Sequence, residues 1–180
     1  MTPKKIRFIF VRLAAVCLIL ASAFAYALPA SAESTAPDRD WQRYERRILK
    51  VIMNRRLYEL EIARLCPTQA SHSAYIALCQ DMINRLPTEI ATLQSWLLDW
   101  YGESYRPRLD PMQKMTLRHL ALPRLKGAKF EIQSMKLYRV LFRDGASTET
   151  YCSRHAPHSE LATYCGEDAV ILRQNFRTVS

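Results

Sequence analysis

CPTQASHSAYIALC, Cys66–Cys79, returns later in the chain as CSRHAPHSELATYC, Cys152–Cys165. In both stretches twelve residues separate two cysteines, and Ala70, His72 and Ser73 stand at the same offsets as Ala156, His158 and Ser159. A frame met twice in 180 residues points to two similar halves. Four of the five cysteines belong to these frames. An even set of cysteines in an exported chain reads as two disulfides. Three pairings are open to sequence alone. The repeated spacing favours Cys66 with Cys79 and Cys152 with Cys165, each closing a loop of about 14 residues worth roughly 3 kcal/mol. Zinc is the competing reading, because Cys152, His155, His158 and Cys165 are four ligand types in one segment. Gln69 stands where the second frame has His155, so such a site would not be common to both frames.

The expectation of export comes from residues 1–32. Lys4, Lys5, Arg7 and Arg12 precede an apolar run, and Ala30-Ser31-Ala32 ends it with small residues, the pattern of a cleaved signal peptide. The run, roughly 16 residues, is short beside the ~20 that a membrane helix needs. Cys17 falls inside it and is expected to leave with the peptide. The chain from Glu33 would be 148 residues long, one domain, with a net charge of +5 instead of +9. The location expected is periplasmic or secreted, with no transmembrane span after cleavage. A charge of +5 without an RNP-like, zinc-finger or basic-region motif gives no nucleic-acid signature.

Apolar positions decide the elements. Tyr44, Ile48, Val51, Ile52, Tyr58, Ile62 and Leu65 recur at steps of three and four, predicting a long amphipathic helix over 41–65. Ile76, Cys79, Ile83, Leu86, Ile90, Leu93, Leu97 and Trp100 form a tighter seam over 71–100. Pro87 lies inside that seam and predicts a kink, not a stop. Gly102, Pro107 and Pro111 mark 101–111 as a linker, and Asp110-Pro111 opens a short helix through about residue 121. Two further helices are expected over 128–151, weakened around Gly145, and over 157–177. Strand alternation is absent. The fold class is therefore all-α: a four-helix bundle of two helical hairpins, about 40–100 and 128–177, each stapled at its turn.

The stretch 53–102 resembles the core of the domain-of-unknown-function 305 family, exported ferritin-like helical bundles, some of them tied to copper. Glu89-Ile90, Leu93 and Trp96-Leu97 match that family's Gln-x-x-Glu-Ile-x-x-Met-x-x-Trp-Leu helix. His72 and His158 match its turn histidine, and Gly127-Ala128 with Phe130-Glu131 resembles the connector to its second half. The resemblance implies paired metal-ligand histidines. Here they would fall on Arg55-Arg56 and near Leu141-Phe142, which cannot ligate a metal, and Pro87 replaces a Gln. The chain thus resembles the family scaffold with a degenerate metal site.

Arg55 lies on the apolar stripe of the first helix, so it is expected to point inward against a carboxylate, Glu89 or else Glu59. The readings are an anion pocket or, better supported, a structural ion pair or an arginine that snorkels out to water. Met112, Met115 and His119 recur at i, i+3 and i+7 on the short helix, a set suited to Cu(I) if it is not core filler. Tyr101, Tyr105, Arg106 and Arg108 in the linker are candidate partner contacts. No catalytic residues are assigned: metalloprotease, di-iron, phosphate-loop and nucleophile–base patterns are all missing. The function expected is a non-catalytic binding or structural module that meets an envelope protein or surface and needs no cofactor. The alternative is a residual copper-handling protein using Met112, Met115 and His119.

Overall fold

The computed structural model describes residues 36–178, with side chains described over 39–175. The expected signal peptide and Cys17 lie outside the described residues. The described chain is all-helical: α1 Ala36–Ala63, a single turn α2 Cys66–Gln69, α3 Ser73–Tyr101, α4 Pro111–Leu120, a 3-10 turn Pro123–Leu125, α5 Ala128–His155 and α6 Ser159–Thr178. No strand occurs among the described residues.

The helix boundaries follow local chemistry. α3 runs through Pro87 as one helix, because the ring sits on an exposed face and its missing donor costs only one bond. α3 stops at Gly102, whose φ of 64° gives the left-handed turn that returns its N–H to the carbonyls of Leu97 and Leu98. Asp110 caps α4 by accepting from the Gln113 backbone N–H at 2.8 Å, while the Gln113 side chain accepts from the Asp110 N–H at 3.0 Å. α5 passes Gly145 unbroken and ends at His155, beyond the expected residue 151.

α1 packs against α3, and α5 against α6, while α1 also meets α5. The disulfides are Cys66–Cys79 and Cys152–Cys165, with Cα atoms 6.2 and 5.9 Å apart. Zinc at Cys152 and Cys165 is thereby excluded, since a bridged sulfur is no thiolate ligand. Each disulfide belongs to its own apolar cluster. One gathers Cys66, Cys79, Leu86, Phe130, Tyr138 and Leu172. The other gathers Ile52, Met53, Leu93, Leu97, Cys152 and Cys165. Where the two clusters adjoin, α1, α5 and α6 each bury charged side chains, Arg56, Glu149 and Asp168.

Candidate functional site

The boundary between the clusters is a buried ionic layer. α1 contributes Arg55, Arg56 and Glu59, α3 contributes Glu89, α5 contributes Glu149 and α6 contributes Asp168. Arg56 is 1% exposed. It meets Glu59 at 2.8 Å and Glu89 at 3.0 Å, and it pairs with Asp168. Arg55 pairs with Glu149 and lies 3.5 Å from both Glu59 and Asp168. Tyr164 donates to Glu89 at 3.2 Å, and Arg85 closes the α3 side by pairing with Glu89. Neighbours on a helix point about 100° apart, so consecutive arginines face different helices. That corrects the expected partnership: Glu89 on α3 is taken by Arg56, and Arg55 faces α5 and α6. The expected alternative, Glu59, does reach Arg55.

Gly145 makes the room. A Cβ there would lie 2.8 Å from the Arg55 Cζ and 2.9 Å from the Leu172 side chain, inside any real contact distance. Burial works against the charge on Arg56, but Glu59, Tyr164, Asp168 and Glu149 more than offset it and hold the group cationic. Burial, and a proton held against Asp168, push Glu149 up to about 9 despite Arg55 and Arg56. Burial also disfavours the Asp168 charge, but the Glu149 proton and both guanidiniums outweigh it and hold Asp168 below the usual range. With Glu149 protonated, three guanidiniums (Arg55, Arg56, Arg85) face three carboxylates (Glu59, Glu89, Asp168), so charge balances inside the fold.

Arg55, Glu149 and Asp168 therefore form an ion-paired structural network and not an open anion pocket. Nor do these residues fit a metal. The implied histidine positions hold two permanent cations, and in the second half Leu141 and the core residue Phe142. Among the described residues no group of three or more His, Cys, Asp or Glu could hold a metal ion.

Two further carboxylates tie the halves together. Glu131 of α5 accepts from the backbone N–H of Ser71 at 2.6 Å and of His72 at 2.9 Å, and pairs with the His72 ring. Glu45 of α1 accepts from the His158 N–H at 3.0 Å and lies 2.6 Å from its Nδ1. Each turn histidine starts a helix whose free N–H groups need acceptors, and each acceptor comes from the other half. Trp100 stacks on His158 at 4.0 Å, and Tyr101 donates to Glu45.

These carboxylates, like Glu149 and Asp168, escape a reading confined to the turns. A signal for two of them was there: the offset of 86 positions that carries Cys66 onto Cys152 also carries Glu45 onto Glu131. Glu149 and Asp168 sit where the same offset has Ala63 and Met82, so only the packed structure reveals them.

The linker residues form a strap. Asn54 accepts from the Tyr105 hydroxyl at 3.1 Å and from the Arg108 N–H at 3.0 Å, and Gln94 donates to the Tyr105 carbonyl at 2.8 Å. Arg106 and Arg108 face solvent, whereas Tyr105 is half-buried. Met112 and Met115 are 65% and 56% exposed, and His119 is exposed with them on α4, so these thioethers are not core filler.

No family model matches the chain, and no curated protein matches it. Solved structures do. CopM in the Cu(I)-bound form superposes with a TM-score of 0.65 at 10% identity, covering 75% of this chain and 91% of that one. CopM in the Ag-bound form, obtained by co-crystallisation, gives 0.64 at the same identity and coverage. At this identity the likeness is one of helical fold.

Proposed function

We propose that the chain is an exported, non-catalytic four-helix bundle of two disulfide-stapled hairpins that works as a binding module with a degenerate metal site. The observation that carries this reading is the ionic layer. Where the family resemblance would put metal-ligand histidines, Arg55 and Arg56 are clamped by the carboxyl groups of Glu59, Glu89, Glu149 and Asp168. A metal cation would have to displace two guanidiniums there. Two disulfides, together with the lack of any described helix long and apolar enough to cross a membrane, fit an exported protein. The repeated cysteine frames support reading the helical fold as a ferritin-like internal duplication.

A second reading is supported by the exposed face of α4. Met112, Met115 and His119 offer two thioethers and an imidazole to solvent, a soft donor set suited to Cu(I) or Ag(I). The fold neighbour CopM was solved with both ions. One experiment separates the readings: competition for Cu(I) between the purified exported chain, disulfides intact, and a chromogenic chelator. The module reading expects no tight stoichiometric binding. Stoichiometric binding abolished by Met112→Leu with Met115→Leu would establish the copper reading and overturn the first.

A further inference from the structure

Several cations outside the ionic layer gather on one face. Arg43, Arg46, Arg47 and Lys50 lie on consecutive turns of α1 and line, with Val51, Asn54 and Glu103, a shallow depression of ≈ 410 Å³. The strap 103–108 borders it. Lys50 pairs with Glu103 and sits over the Tyr105 ring, and Asn54 fixes Tyr105 and Arg108. Along the strap exposure alternates, so Ser104, Arg106 and Arg108 face out while Tyr105 and Pro107 turn inward. Among the described residues Arg47, Arg106 and Arg108 have no carboxylate partner, and Arg46 meets only the Gln42 carbonyl and the Tyr101 ring.

We infer that this face is a docking surface for the phosphate headgroups of an anionic bilayer. Charge complementarity argues for it: five guanidiniums and one ammonium, on a strap and helix already fixed by hydrogen bonds, oppose few acids. Guanidinium forks match phosphate oxygens in pairs. Shape decides against an acidic protein. Such a partner would anchor in a buried apolar or aromatic pocket, and the depression has only Val51 as an exposed large apolar residue in its lining. An open, polar, basic strip suits a plane of many weakly held headgroups. The inference rests on the binding-module reading and names the partner of that module.

The test is partition of the full chain into vesicles of phosphatidylcholine alone and of phosphatidylcholine mixed with phosphatidylglycerol. The apolar run of residues 13–28 can enter either, so the ratio of the two partition coefficients is the readout. The ratio should be well above one and fall with salt. The variant R43Q/R47Q/R106Q/R108Q should lower it by about a hundredfold or more, since each basic residue near an anionic surface contributes roughly fivefold. The four side chains are exposed, so helicity should be unchanged. The variant K114Q/R118Q/R124Q/K126Q removes the same charge from another exposed region and should leave the ratio nearly intact. Equal loss in both variants would mean diffuse charge and overturn the surface. So would a ratio near one, displacement by free glycerol phosphate, or preferential capture of polyglutamate. Those outcomes judge this face alone; the Cu(I) titration judges the reading beneath it.

Discussion

At the scale of single residues the ionic layer makes sharp demands. Gly145→Ala should destabilise the protein by up to ~2 kcal/mol in a denaturant melt. Its gain in helix propensity is about 1 kcal/mol. The new methyl, however, overlaps Arg55, which Glu149 and Asp168 keep from swinging aside, and overpacking costs ~1–3 kcal/mol. Glu149 and Asp168 should respond unequally to loss of charge. Glu149→Gln keeps a donor toward Asp168 and resembles the protonated carboxyl, so it should cost less than ~1 kcal/mol at neutral pH. Asp168→Asn leaves Arg56 short of an anion and should cost ~3–5 kcal/mol. The pH profile supplies a second check. Between the ordinary glutamate value near ~4.3 and about 9 the folded state holds a proton on Glu149 that the unfolded chain has released. Stability should therefore fall as pH rises across that window, and Glu149→Gln should flatten the slope. The inward turn of Arg55 was legible from its place on an apolar stripe. Its neighbour Glu59 was legible too, one turn along the same helix; Glu149 and Asp168 were not, because they come from helices about a hundred positions away and have apolar counterparts in the first half.

The elements meet through borrowed caps. The α3 N-terminus has no acceptor of its own, and the Glu131 carboxylate serves it from α5. Burial favours the protonated form of Glu131, but the N–H groups of His72 and Ser71 outweigh it and bring the group down to about 2. A depressed carboxylate stabilises fully above its unfolded value and loses that contribution as pH falls toward 2. Glu131→Gln should lower stability at neutral pH by about 1–2 kcal/mol and weaken the acid-side decline, measured by melts from pH 7 downward. The two disulfides should prove near-equivalent: their loops are the same length, so replacing either pair by serine should cost ~3 kcal/mol. Helix positions were largely legible from apolar spacing, and the Asp110 cap was legible residue by residue. The ends were less so. Gly145 marks a close approach, not a weak point, and spacing within one helix cannot distinguish the two.

For the whole molecule, the locks and the ionic layer determine how the halves behave together. Glu45 on His158, Glu131 on His72 and Arg55 on Glu149 all cross from one half to the other. Calorimetry should therefore show one cooperative transition. The variant Glu45→Gln with Glu131→Gln should broaden it or split it in two. The all-helical class was legible from the sparse glycines and unbroken three-four spacing. The layered core was not: it needs four helices in register, and no single segment contains it.

Both carboxylate locks pass between halves, and only the segment 102–127 determines which copy of each half is used. Nothing in a Glu–His contact distinguishes a half of the same chain from a half of its twin. A chain with residues 103–126 deleted, too short to return along the ~43 Å of the 29-residue α3, should close the same two locks reciprocally with a second molecule. The product would be an exchanged dimer, identified by its mass in solution and by unaltered disulfide pairing. Monomer and dimer would thus be alternative closures of one set of contacts, chosen by the length of a connector that makes none of them.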